Sequence, residues 1–236
     1  MRLKTNLHFH TGDDPEDAVS YSTKEGIDYA AMLGFDVLAL TCHRKAAWTE
    51  EYHAYAAARG ILLIPGIELN LKESHKDRGR GRHLIILNCA KEAEHVWTFA
   101  DLKEYRAQHP ECFILAPHPF FYGNFSLKRS LSAHIDLMDA IEHSWFYSSL
   151  CNRNKKAMRV ARAHHLPFIA TSDAHIFRFM NTDYTMIDAE EKTISALFRA
   201  IRAHKITRVS RRKKFFTEMV FPVITLIAKN FFHRRK

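Results

Sequence analysis

The most constraining feature of this chain is where its histidines and acids fall along an alternation of short apolar runs and longer helical patterns. Strand-like runs rich in β-formers cover residues 3–8, 37–42, 62–69, 83–88, 112–118, 140–143 and 168–172. Helical patterns lie between and after them. Residues 23–33 carry Ile27, Ala30 and Ala31 on one face, with Ser22 as the N-cap. Residues 49–59 are alanine-rich, and 93–109, 131–138, 152–164 and 190–204 follow. Such alternation predicts an α/β fold, a parallel sheet with helical crossovers. Seven strands in 236 residues argue for a barrel one strand short of the eight-stranded kind. In such barrels the chemistry sits at the C-terminal strand ends.

Those ends carry His8 and His10 (LHFH), His43 (ALTCH), Glu68 (PGIEL), His118 (LAPHP), and Asp173 with His175 (TSDAH). His83 instead opens its strand (GRHLIIL), so its reach depends on how the preceding loop enters. That loop, residues 72–82, is polar and glycine-containing and reads as a lid. Residues i and i+2 of a strand share a face. His8 and His10 can therefore both point into the barrel mouth, as can Asp173 and His175 if the chain stays extended there. Imidazole combined with carboxylate suits Zn²⁺, Mn²⁺ or Fe²⁺ better than Ca²⁺ or Mg²⁺. So many ligand groups exceed the needs of one ion, so two or three divalent transition metals are expected, with Glu68 as the bridging carboxylate. Paired metals generate hydroxide near neutral pH and clamp the oxygens of a phosphoryl displacement.

In this order, HFHTGDD, LTCH, PGIE, APHP and TSDAH resemble the signatures of the PHP (polymerase and histidinol phosphatase) family, over roughly residues 3–175. HxH alone also opens amidohydrolases; the ordered set is what is specific. The resemblance implies a distorted seven-stranded, TIM-like (β/α)7 barrel. It also implies metal-dependent hydrolysis of phosphate esters by a metal-bridging hydroxide. His8, His10, Glu68 and Asp173 would hold one metal, and Glu68, His83 and His118 a second. His43, His175 and an acid of the first loop, Asp14 or Asp17, would hold a third. Where the family often has Asp, this chain has Asn6 and Cys42, positions expected to orient imidazoles.

Glu68 and His175 are the expected catalytic groups, with Arg44 and Arg178. Arg44, Lys45 and Arg178 closely follow ligand positions and could bind a substrate phosphate. His143 closes the sixth strand, and a structural role is the preferred reading for it. Trp145, Phe146 and Tyr147 read as an aromatic cluster over the barrel top.

The formal net charge of +9 is unevenly placed. Residues 208–236 hold nine Lys/Arg against one Glu; the first 207 hold 26 against 25. A nearly neutral barrel (1–207) favours a small phosphorylated substrate over long nucleic acid, which needs a basic track. The basic, apolar tail (208–236) is too short for a span of about 20 residues. It could lie on an anionic membrane surface or pack on the barrel. Four scattered cysteines without a CxxC pair, and no secretory signal, point to a cytoplasmic setting, with a peripheral place at the inner membrane face left open by the tail. Phosphomonoester hydrolysis is the favoured function. The alternatives are phosphodiesterase or nuclease activity, an amidohydrolase-like C–N hydrolase, and a non-catalytic metal-binding domain.

Overall fold

The computed structural model describes residues 1–233; Arg234, Arg235 and Lys236 of the basic tail lie outside the described residues. Nine strands build one sheet: β1 (Arg2–Asn6), β2 (Val37–Leu40), β3 (Leu62–Leu71), β4 (Arg82–Leu87), β5 (Phe113–Ala116), β6 (Ala140–His143), β7 (Phe168–Ala170), β8 (Asp183–Asp188) and β9 (Ile206–Ser210). Their order is β7-β6-β5-β4-β3-β2-β1-β8-β9. The sheet curls into a nearly closed barrel. The Thr185 hydroxyl of β8 clasps β7 across the gap, donating to Ala170 O (2.8 Å) and accepting from Ala170 N (2.9 Å).

Each of the seven expected strands is present, and two more, β8 and β9, complete the barrel. The sheet is mixed rather than wholly parallel. β4 pairs antiparallel with both β3 and β5, and β8 pairs antiparallel with both β1 and β9. β3 and β4 thus form a hairpin over the loop read as a lid. At its base Gly81 passes so close to Asn70 that a Cβ would sit 2.3 Å from the Asn70 carbonyl oxygen. β9 also carries the sheet across residue 208, so the boundary read between barrel and tail falls inside a strand.

The helices are α1 (Thr23–Met32), α2 (Glu50–Ala57), α3 (Phe99–Gln108), α4 (Arg129–Ala133), α5 (Asn154–Ala163), α6 (Phe177–Met180), α7 (Ile194–Arg202) and α8 (Phe221–His233). Ser22 caps α1 in a capping box with Glu25. The long helix expected over 93–109 divides into a 3-10 turn (Lys91–His95) and α3. Thr98 and Asp101 form a second capping box, which starts a new helix instead of continuing the old one. Residues 131–138 likewise split between α4 and a 3-10 turn (Ile135–Leu137).

Alternation along the strands sorts side chains between two faces. Inward go Leu3, Val37, Ile64, Ile85, Phe113, Ala140 and Ile169, closed from below by Leu197, Phe198 and Ile201 of α7. Outward, Leu69, Ile86, Ile114 and Ile141 pack on α3 and α5, while Leu38, Leu40 and Leu63 pack on α1 and α2. Each such buried side chain contributes about 1.5–3 kcal/mol. The apolar plug fills the lower barrel and leaves the polar inward positions at the C-terminal end.

The tail packs on the barrel. Lys213 is buried against Asp183, and Arg211 makes two hydrogen bonds to Glu218 (2.7 and 3.0 Å). A π-helical turn (Phe215–Val220) then leads into α8. Among the described residues no helix is long and apolar enough to cross a membrane.

Candidate metal centre

At the barrel mouth the inward face turns from apolar to ligand-bearing. Ile64, Gly66 and Glu68 alternate inward on β3, and a side chain at Gly66 would strike Leu40 O at 2.9 Å. Because β4 runs backwards, its first residues lie at the barrel's C-terminal end, and this brings His83 opposite Asn70, beside Glu68. The open question about His83 is thereby answered by strand direction.

Glu68 stands at the middle of the cluster. Its Oε2 lies 3.2 Å from His8 Nε2, 3.3 Å from His10 Nε2 and 3.1 Å from His43 Nε2. Its Oε1 lies 2.7 Å from His83 Nδ1 and 3.3 Å from His118 Nε2. Asp173 Oδ1 lies 3.3 Å from His8 Nε2 and 3.5 Å from His10 Nε2, which are themselves 3.0 Å apart. His175 Nε2 lies 2.8 Å from Asp17 Oδ2. Four overlapping triads could hold an ion: His8, His10 and Glu68; His8, His118 and Asp173; His43, Glu68 and His83; His10, His43 and His175.

The chain does not stay extended at Asp173, as the i, i+2 pattern had required. Asp173 has φ +46°, and His118 has φ +26°. Both occupy a backbone region that non-glycine residues seldom adopt, a strain that accompanies functional sites. Ala174 bridges Phe9, and the left-handed turn still brings Asp173 and His175 into one cluster.

The two candidate acids of the first loop divide the work. Asp14 Oδ2 accepts from His43 N (2.8 Å) and lies 2.8 Å from His10 Nδ1 and 2.9 Å from His43 Nδ1. It therefore orients two imidazoles from behind. Asp17 faces the ring nitrogens of His175 and, at 4.0 Å, His43. Neither Asn6 nor Cys42 touches an imidazole ring in the hydrogen-bonding pattern. Asn6 Oδ1 accepts from Ser172 N (3.1 Å), tying the ends of β1 and β7 together, and Cys42 packs in the outer core against Thr11.

One participant went unnoticed in the sequence. Glu142, fully buried on β6, holds its Oε1 3.1 Å from His8 Nδ1 and accepts from Thr171 Oγ1 there; its Oε2 accepts from His118 N. This orients the His8 ring, with Nδ1 toward Glu142 and Nε2 toward Glu68 and Asp173. The adjacent His143 points the other way, edge-on to Tyr147 and Phe168.

The cations suggested for substrate binding differ in placement. The Arg44 guanidinium donates to Val96 O (2.7 Å) and Glu94 O and lies over the Trp97 ring, 3.6 Å from its centroid. Lys45 reaches toward Asp13 at 3.9 Å. Arg178 lines the open cavity with Asp173 and His175, and its Nη2 is 3.8 Å from Glu218.

The buried carboxylates dominate the electrostatics of the cluster. Burial opposes charge on His8, but Asp173, Glu68 and Glu142 outweigh it and push its pKa up to about 10. His43 is likewise opposed by burial and pushed up to about 9 by Glu68 and Asp14. At His83 burial prevails over Glu68 and pushes the ring down to about 4. Despite their burial, Glu68 and Asp173 are held well below the usual carboxylate range by the surrounding histidines. Glu68 Oε1, His83 Nδ1 and His175 Nε2 are buried without a hydrogen-bond partner, although each lies close to an opposed ligand atom. Donor atoms that approach one another without hydrogen-bond alignment are arranged to converge on a third atom. This donor set fits two or three divalent metals.

A family model described as PHP-associated matches residues 152–206. No curated protein matches the chain by sequence. Among solved structures, a two-domain protein of Bacteroides vulgatus containing a predicted PHP-like metal-dependent phosphoesterase superposes with TM-score 0.64 at 17% identity, over 89% of this chain and 65% of that one. PsfC of Pseudomonas syringae gives TM-score 0.61 at 15% identity, over 99% and 98% of the two chains. The lesion-specific endonuclease PfuEndoQ of Pyrococcus furiosus gives 0.63 at 14%, over 89% of this chain and 57% of that one. The chain thus spans less than two thirds of the first and third of these proteins. The fold is that of the PHP-like proteins, and together with the matched segment it upholds the PHP resemblance read from the strand-end motifs.

Proposed function

We propose that this protein is a metal-dependent phosphoesterase, and that it acts preferentially on phosphomonoesters. The observation that carries the proposal is Glu68, a buried carboxylate whose two oxygens face five imidazoles in two directions. His8, His10, Glu68 and Asp173 would hold one metal; Glu68, His83 and His118 a second; His43, His175 and Asp17 a third. Bound there, such metals supply Lewis acidity, lowering the pKa of water and neutralising charge on phosphoryl oxygens.

The chain's own groups do the rest. With metals bound, Asp14 and Glu142 would hold the remaining imidazole protons on the nitrogens facing away from the cluster, leaving the opposite lone pairs to the metals. Arg178 sits at the cavity edge, where its guanidinium can meet a phosphate oxygen as charge develops. Arg44, bound to two carbonyls and Trp97, holds the His43 turn in place instead. The preference for monoesters is supported by a nearly neutral barrel. Diester or nucleic-acid cleavage is the second reading, favoured by the likeness to PfuEndoQ. For the tail, exposed Phe216 and Ile224 beside exposed Arg212 and Lys214 support contact with an anionic surface of the inner membrane face. Salt-sensitive binding to phosphatidylserine vesicles tests that part.

The central test combines metal content with turnover of p-nitrophenyl phosphate and bis-p-nitrophenyl phosphate, before and after metal stripping. Two or more transition-metal equivalents and metal-dependent turnover are expected, with the monoester preferred. Glu68→Gln should lose both metal and turnover; if it retains both, the proposal fails.

A further inference from the structure

A cavity of about 190 Å³ opens from the candidate metal cluster at Asp173 and His175, and four of its eleven lining residues come from the C-terminal tail. Trp145, Ile176 and Phe179 form the barrel side; Phe221, Pro222 and Val223 form the tail side. The tail is tied down here. Asn230 of α8 accepts from Ala18 N (2.8 Å) and donates to Asp17, the acid that faces His175. At the other end, Lys213 is buried on Asp183 and Glu218 is gripped by Arg211.

The polar groups of these walls are already engaged. Trp145 Nε1 points to Asp173 Oδ2 at 3.4 Å, and the Thr225 hydroxyl donates to Phe221 O (2.9 Å). A sugar hydroxyl or a base edge placed here would give up water and gain no partner, at a cost of roughly tenfold in affinity per group. At the mouth, by contrast, Arg178 and the candidate metal centre offer positive charge to a phosphate. The cavity is therefore polar at one end and apolar along its length.

We propose that the tail helix completes a leaving-group pocket, and that the preferred substrate is a phosphomonoester of an apolar alcohol, alkyl or aryl, rather than a sugar phosphate or nucleotide. The inference rests on the phosphoesterase reading for its site but makes a separate demand on the tail. It turns a segment that sequence reading had set apart as membrane-surface or merely packed into a specificity element.

The test uses the full-length, metal-loaded protein and non-hydrolysable ligands, measured by calorimetry. Hexylphosphonate should bind at least tenfold tighter than methylphosphonate. Val223→Asn and Phe221→Ser should each shrink that ratio to threefold or less, leaving metal content and methylphosphonate affinity unchanged. Equal affinity for the two phosphonates in the unaltered protein, or an unchanged ratio in both variants, overturns the inference. So does an oligonucleotide that outcompetes hexylphosphonate. Discrimination between phosphonates without any phosphoester turnover would sink the phosphoesterase reading and leave the pocket standing. Turnover without discrimination would do the reverse.

Discussion

Replacing Glu142 by Gln is the most informative single change at this site. The Glu142 carboxylate is an acceptor at both oxygens: Oε1 toward His8 Nδ1 and Thr171 Oγ1, Oε2 toward His118 N. A glutamine keeps the shape and loses one acceptor. If its carbonyl takes the Oε1 place, its NH₂ meets the His118 N–H, donor against donor. If the amide flips, the NH₂ meets His8 Nδ1, and His8 must carry its proton on Nε2, the nitrogen aimed at Glu68 and Asp173. One arrangement leaves a buried donor without a partner, at about 1–3 kcal/mol. The other blocks a metal-facing lone pair. Loss of an orienting partner of this kind weakens metal binding about 10- to 100-fold. The assay is competition with a chromophoric chelator for Zn²⁺ and Mn²⁺ at fixed pH, with thermal unfolding recorded alongside. Thr171→Val removes a donor and not the acceptor, so it should change metal affinity far less. If Glu142→Gln binds metal as tightly and in the same ratio as the unaltered protein, the orienting role is refuted.

Other outcomes follow from particular contacts. Asp17→Asn should cost one metal equivalent, whereas Asp14→Asn should weaken binding at two histidines without abolishing a site; metal analysis after gel filtration separates the two. Lys213→Met leaves Asp183 buried without its cation, a loss of about 3–5 kcal/mol, and should lower the melting temperature by roughly 10 °C. Restoring it by a second change, Asp183→Leu, would show that the pair matters for its charge balance. Burial pushes His143 down to about 4, so the folded protein binds fewer protons there than the unfolded chain. This contribution is full above pH 6.5, falls as pH drops toward 4, and amounts to at most about 3 kcal/mol. His143→Phe should flatten the acid limb of a stability-versus-pH curve in that window. An unchanged limb would count against it.

The strand-end motifs were legible because each ligand stands where a run of inward-facing apolar residues gives way to a polar one. Position along the chain was enough to gather His8, His10, His43, Glu68, His118, Asp173 and His175. Direction was not. Nothing local to Arg82–Leu87 distinguishes a strand that runs up the barrel from one that runs down, and β4 was read as parallel with the rest. β8 (DYTMID) and β9 (ITRVS) alternate polar and apolar residues as half-buried strands do, but charges at their edges hid them. Glu142 lies in a four-residue strand, too short for a period to reveal which side faces inward. The reach of Asn230 to Asp17 spans 213 residues and is invisible to any window.

The pairing of β1 with β8 sets the order in which the molecule can be completed. Of the candidate ligands His8 and His10 are made first, yet β1, the strand just before them, has only one parallel neighbour until Asp183–Asp188 has been made. At about 5–20 residues per second, that interval is of the order of ten to forty seconds. For most of it the nascent chain lacks Asp173, His175 and the Thr185 clasp. A chain stopped before Asp183–Asp188 would therefore hold His8 and His10 beside an unpaired edge of β1, and closure of the barrel at that edge waits on β8.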